Sequence, residues 1–139
     1  MTMIVLDASA ALAWIFERAD EAEAATARDL LGRLASSEAL VPELWHLEVL
    51  NALIVGQRRG FVSTAKASDF IAHLDALPIR TEDASFADRK EQIFSLAREH
   101  ELSAYDAAYL DLAIRRSAPL ATFDRRLAAA RDRAGVPRF

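Results

Sequence analysis

Four short apolar runs, each followed by a much longer stretch of helical periodicity, constrain this chain more than any other feature. Ile4-Val5-Leu6, Ala39-Leu40-Val41-Pro42, Pro78-Ile79-Arg80-Thr81 and Pro119-Leu120-Ala121-Thr122 read as strands. Between them, helical patterns run over 8–17, 20–36, 43–59, from Ser63 to about Leu77, 86–100 and 104–116, and a last one spans 125–134. Acidic residues 20, 21 and 23 open the second helix, Arg58-Arg59-Gly60 closes the third, and Ser63 is placed to cap the fourth. Residues 136–139 read as an added edge strand. Strands alternating with helices predict an α/β layer structure with a mostly parallel sheet. No repeat or linker divides the 139 residues, a length that suits one domain with one core.

The acids are placed more tellingly than their number suggests. Asp7 and Asp124 stand at or just past the C-terminal ends of strands, the edge of a parallel sheet where ligand sites collect. Each is equally well placed to cap the helix that follows. At about 100° per residue, Glu48 shares a helix face with Leu44, Asn51, Ala52 and Val55, while His46 and Gln57 point elsewhere. Asp106 shares a face with Tyr109, Leu110, Ala113 and Ile114, leaving Asp111 and Arg115 on the solvent side. A capping box with Ser103 also accounts for an acid at 106, though not for its facing the core. A carboxylate in an apolar arc must be paired, protonated or bound to a cation. Lysine is scarce (Lys66 and Lys90 only), so ion pairing would fall to arginine. Oxygen-only donors select hard ions, Mg²⁺ or Mn²⁺, and two such ions can activate water for phosphodiester hydrolysis.

Composition narrows the field. The absence of cysteine rules out a disulfide framework, a thiolate zinc site and a thiol nucleophile, and is compatible with the cytosol. No apolar run approaches the roughly 18 residues of a membrane span, and the first residues read as a strand rather than a secretory signal. The net charge of −4 disfavours a polyanionic partner at first sight. Arg115, Arg116, Arg125, Arg126, Arg131, Arg133 and Arg138 nevertheless cluster late in the chain. They form either a basic rim for a phosphate backbone or ordinary exposed helix faces. His46, His73 and His100 are too dispersed for a triad or a metal motif and read as surface or helix-end residues.

Four words in order carry a family resemblance: IVLDASAALAW at 4–14, ELWHLEVLNAL at 43–53, SAYDAAYLDLA at 103–113 and PLATFD at 119–124. Together they resemble the PIN-domain ribonucleases, and most closely the VapC-type toxins of toxin–antitoxin pairs. The likeness covers essentially the whole chain. It implies one PIN domain over 1–139, an α/β/α sandwich, and a Mg²⁺- or Mn²⁺-dependent endoribonuclease active in the cytoplasm. It implies also a homodimer, an RNA substrate and a cognate antitoxin that inserts at the active site. By position, Asp7, Glu48, Asp106 and Asp124 match the family's metal-binding acids. Ser9 and Thr122 match small polar positions that support the metal, or else hydroxyls bonded to backbone. Asn51, one turn from Glu48, is either a supporting amide or one satisfied by backbone.

Two other classes compete. A phosphoacceptor receiver also binds Mg²⁺ at strand-end acids, but the acidic pair at the first strand and the late lysine are missing. A binding module that recognises RNA or protein without cutting would use the wide apolar arcs of 43–56 and 104–114, which core packing explains as well. A haloacid-dehalogenase site needs Asp-x-Asp, and position 9 is serine; the four glycines flank no serine-hydrolase or P-loop motif.

Overall fold

The computed structural model describes residues 2–139. Four strands, β1 (Thr2–Leu6), β2 (Ser37–Val41), β3 (Ile79–Thr81) and β4 (Leu120–Ala121), form one parallel sheet in the order β3-β2-β1-β4. Seven helices cover it: α1 (Ala8–Leu12), α2 (Glu21–Arg33), α3 (Leu44–Arg58), α4 (Thr64–Asp75), α5 (Lys90–His100), α6 (Ala104–Arg116) and α7 (Arg125–Arg133). The result is the α/β layer structure with a parallel sheet that the alternation of elements predicts, and it fits the α/β/α sandwich that the resemblance implies.

The strand order positions everything that follows. The chain builds outward from β1 through β2 to β3, then returns across the sheet to lay β4 on the other side of β1. The direction of winding therefore reverses between β1 and β4, and the loops leaving these two strands diverge to open a crevice. Asp7 leaves β1 there, its N–H donating to the Ala121 carbonyl at 3.0 Å, and Thr122 to Asp124 leave β4 beside it.

Local signals operate as expected at the caps. Asp20, Ser63, Ser103 and Asp124 each accept a hydrogen bond from an amide in the first turn of α2, α4, α6 and α7. Three elements differ from their sequence expectations. The helix expected over 8–17 stops at Leu12, where Trp14 leaves the spiral to donate its indole N–H to the Ala27 carbonyl of α2. Phe16 then packs against α3 at Gly56, where a Cβ would come within 2.7 Å of the ring and force it to shift. The helix expected over 86–100 begins as a 3-10 turn, Phe86–Arg89, before α5. The edge strand expected at 136–139 reduces to a single parallel bridge between Leu120 and Arg138.

The largest correction concerns α6. All residues from Ala107 to Leu112, and Ala113 beyond, are buried, because α6 rests on β1 and β4 and is flanked by α5 and α7. A helix covered on both sides exposes only its ends, here Tyr105 at one and Ile114 and Arg116 at the other. Asp111, expected on the surface, is 3% exposed. Arg89 clasps it through Nε and Nη2 at 3.1 and 2.6 Å, and Arg115 donates to it at 3.0 Å. Arg115 and Arg116 also bind Glu82, the buried acid just past β3. Ion pairing has thus fallen to arginine, as the scarcity of lysine implied, but on Glu82 and Asp111 and not on the four acids singled out. Removing one member strands buried charge. Asp111→Asn should lower unfolding free energy by about 3 kcal/mol, read as a shift of the urea midpoint at constant slope.

Candidate active site

Asp7 is almost wholly buried at the end of β1, 4% exposed. Although it stands at the N-terminus of α1, its side chain makes no capping bond. Instead Oδ2 accepts from the hydroxyls of Ser9 and Thr122, both at 2.6 Å. Ser9 in turn accepts from the Phe123 amide at 2.9 Å, and Thr122 from the Asp124 amide at 3.0 Å. These hydroxyls thus bond to both the carboxylate and the backbone, which unites the two roles the sequence leaves open, and they stitch the β1 loop to the β4 loop.

Glu48 lies half-buried on α3, at the edge of the buried stripe and not at its centre. That stripe is Trp45, Val49, Leu53 and Gly56, rotated from the arc read on the helical wheel. Asn51 is consequently exposed, and among the described residues no hydrogen bond joins it to Glu48 or to any other residue of this site. The supporting residue is Tyr109 of α6, fully buried, whose hydroxyl donates to Glu48 Oε1 at 2.5 Å. The sequence offered a signal, since Tyr109 lies one turn after Asp106 on the face assigned to the core. What it could not show was that the hydroxyl would need a partner from α3. His46, expected to point outward, is half-buried and hydrogen-bonds Thr81 Oγ1 at 2.7 Å.

Asp106 opens α6, where its amide donates to Ser103. Asp124 caps α7 through Oδ1, which accepts from the Leu127 amide at 2.9 Å. The capping account of Asp124 is therefore correct as far as one oxygen goes.

The four acids lie close enough to act on one another electrostatically. Burial is the largest influence on the Asp7 carboxyl and pushes its pKa up; the Ser9 and Thr122 bonds oppose that, and the charge of Asp124 adds to it. Burial likewise raises Glu48, against the Tyr109 bond and with the charges of Asp7 and Asp106. Asp106 is pushed up to about 6, first by burial and then by Asp124 and Asp7. Tyr109 is held protonated by burial and by the neighbouring acids. Among the described residues no arginine, lysine or histidine pairs with any of the four. Among the described residues no three acidic or histidine side chains converge closely enough to form a metal-binding cluster as they stand.

The donor set suits a hard divalent cation. Both hydroxyl bonds to Asp7 fall on Oδ2, the Tyr109 bond falls on Oε1 of Glu48, and the Leu127 amide takes Oδ1 of Asp124. The second oxygen of each takes none of these bonds. Contacts that hold one oxygen of a carboxylate orient it in the way outer contacts orient metal-binding carboxylates.

The chain is similar to known proteins over most of its length. Residues 4–133 match the PIN domain family model. Ribonuclease VapC3 of Pyrobaculum aerophilum is 33% identical over 127 residues, spanning 90% of this chain and 92% of that protein. The crystal structure of PAE2754 from Pyrobaculum aerophilum superposes with a TM-score of 0.69 at 25% identity, covering 93% of this chain and 84% of that one. Mycobacterium tuberculosis VapC20, described as a sarcin-ricin loop cleaving toxin, gives 0.60 at 23% identity, over 91% and 94% of the two chains; that likeness speaks to the fold.

Carboxyls whose pKa is raised by folding favour the protonated native state. Their contribution to stability is complete below the unfolded value near 3.8 and is lost as pH rises through the folded value, about 6 for Asp106. Metal-free protein should therefore melt at a lower temperature at pH 7.5 than at pH 5.5. Asp106→Asn should recover about 1 kcal/mol at the higher pH, roughly 4 °C for a domain of this size, with less gain at the lower. Added Mn²⁺ should stabilise the unsubstituted protein most at the higher pH.

Proposed function

The chain belongs to the PIN-domain family, and on that premise we propose that it is the ribonuclease toxin of a toxin–antitoxin pair, cutting RNA phosphodiester bonds with Mg²⁺ or Mn²⁺. The observation that carries this reading is the gathering of Asp7, Glu48, Asp106 and Asp124 about the β1–β4 crevice with no basic side chain to neutralise them and with oxygens to spare. The extent of the family match supports a single PIN domain over 1–139.

These four acids would hold the metal. Bound there, a divalent ion supplies an activated water and a counter-charge for the leaving oxygen. The chain's own contribution is orientation and a low-dielectric wall. Ser9 and Thr122 fix the Asp7 carboxylate, and Tyr109 fixes Glu48 from the opposite helix. Leu6 and Ala8, on either side of Asp7 in the chain, and Ala107, next to Asp106, are buried, and dry surroundings strengthen charge interactions.

No described helix is long and apolar enough to cross a membrane, and we place the protein in the cytoplasm, where its RNA substrate is. Two exposed apolar surfaces suit an antitoxin and a second copy of the chain. One is the outer face of α3, with Leu47 73% exposed near Leu50 and Ile54. The other is a groove of about 620 Å³ lined by Leu44, Phe94 and Tyr105 among others. We assign partner contacts to these surfaces in an inhibited complex and a homodimer.

Purified protein incubated with structured RNA should cleave it with Mg²⁺ or Mn²⁺ and not with EDTA, and Asp7→Asn should abolish cleavage. Binding without cleavage, indifferent to that substitution, would instead describe a recognition module; a stable acyl-phosphate on Asp7 after phosphodonor treatment would describe a receiver. Tyr109→Phe, which removes one hydroxyl, should lower metal affinity or turnover about 10- to 100-fold, measured by Mn²⁺ titration of the rate.

A further inference from the structure

The late arginines divide sharply by their partners. Arg115 and Arg116 are engaged by Glu82, and Arg131 and Arg138 by Asp132. Arg133 donates to the His100 carbonyl at 3.4 Å. Arg125 and Arg126 are exposed and take part in no hydrogen bond or ion pair among the described residues. They follow Asp124 directly and occupy the first turn of α7, which contains no acid. Cations at a helix N-terminus oppose its dipole. The N-cap Asp124 is the one acid at that end, and two cations outnumber it, an arrangement that local helix preferences do not favour.

A third guanidinium stacks on Phe123, two residues before Arg125. Arg18 lies 5.0 Å from the centroid of the Phe123 ring, and Phe123 is the residue between Thr122 and Asp124 whose amide is bonded to Ser9. Glu23 Oε2 receives both Nε and Nη2 of Arg18, at 2.9 and 2.7 Å, so the planar group is held in place while Nη1 stays outside the ion pair. Stacking and one-sided pairing leave this arginine ordered before any ligand arrives.

We propose that Arg125, Arg126 and the Phe123-stacked Arg18 form a rim that grips the phosphates of an RNA strand on the β4–α7 side of the acid cluster. The proposal rests on the nuclease reading of the same site. It resolves a charge problem: a chain of net charge −4 with four clustered carboxylates repels a polyanion beyond the reach of its metals. Cations at this rim would neutralise the phosphates flanking the one presented to the acids. Contacts of this kind position the strand without reading its sequence.

The test measures binding of a fluorescent RNA oligonucleotide across a salt series, in an Asp7→Asn background that does not cut. Arg125→Ala with Arg126→Ala should weaken binding alike for unrelated sequences. The slope of log affinity against log salt should become shallower by about 0.7 for each phosphate that is no longer neutralised, about 1.4 for the pair, and Arg18→Ala should take away a further step. Lysine at 125 and 126 should restore most of the slope. Arg58→Ala with Arg59→Ala removes the same charge about 15 Å along α3 from Glu48 and should leave the slope as it was. In the cutting-competent protein the rim pair should raise KM more than it lowers kcat.

Equal effects from the two double variants, or none from either while the parent binds, overturn the rim. Poly-glutamate binding as tightly as RNA at matched ionic strength would assign the rim to an acidic protein segment and overturn the RNA assignment. Protein that neither cuts nor binds RNA defeats the nuclease reading itself. Protein that cuts normally with the rim removed defeats only the rim.

Discussion

One carboxylate oxygen joins the two sides of this fold. Asp7 Oδ2 accepts from Ser9 and from Thr122, residues 113 positions apart in the chain, and each hydroxyl also accepts an amide from the loop that follows β4. Parallel strands cannot be joined by a tight hairpin, so β1 and β4 are brought together across the long stretch of chain that separates them. The bond that closes that long circuit is made by a buried acid, and a buried acid must be answered by donors. The same network that completes the sheet therefore holds the first ligand of the site. Stability and function share it.

The protein buries acids in two different ways, and the contrast gives the site its character. Glu82 and Asp111 are surrounded by Arg89, Arg115 and Arg116, a neutralised clasp that pins the segment after β3 and the start of α5 onto α6. Asp7, Glu48 and Asp124 have hydroxyl or amide donors, Asp106 stands near them, and none of the four has a cation; burial first, and the charges of their neighbours after it, raise the pKa values of Asp7, Glu48 and Asp106. Donors without counter-charge orient a carboxylate while leaving its charge uncompensated. A structural role would be better served by the first arrangement; affinity for a metal is served by the second.

This division also explains where a polyanion can approach. Most of the late arginines are committed to Glu82 and Asp132 and contribute little field beyond them. The uncommitted ones stand at the start of α7, next to the residue that ends the β4 loop. Local cost at a helix N-terminus and global benefit at a substrate path coincide at the same two residues.

Sequence alone determined which residues end the strands and begin the helices, because those signals are local: apolar runs, cap hydroxyls and a period of 2 or 3.6 positions. Asp7, Asp106 and Asp124 could be placed at element boundaries for that reason. The helical wheel, however, reports which side chains share an arc and not how many arcs are covered. It misplaced Asp111 because α5 closes over α6, and it put Asn51 near the core because the buried stripe of α3 runs through Trp45, Val49, Leu53 and Gly56 instead. The Tyr109–Glu48 bond, the clasp on Asp111 and the stacking of Arg18 on Phe123 each join elements far apart in the chain. Only the packed structure decided them, since a side chain's burial and partner depend on what distant segments bring against it.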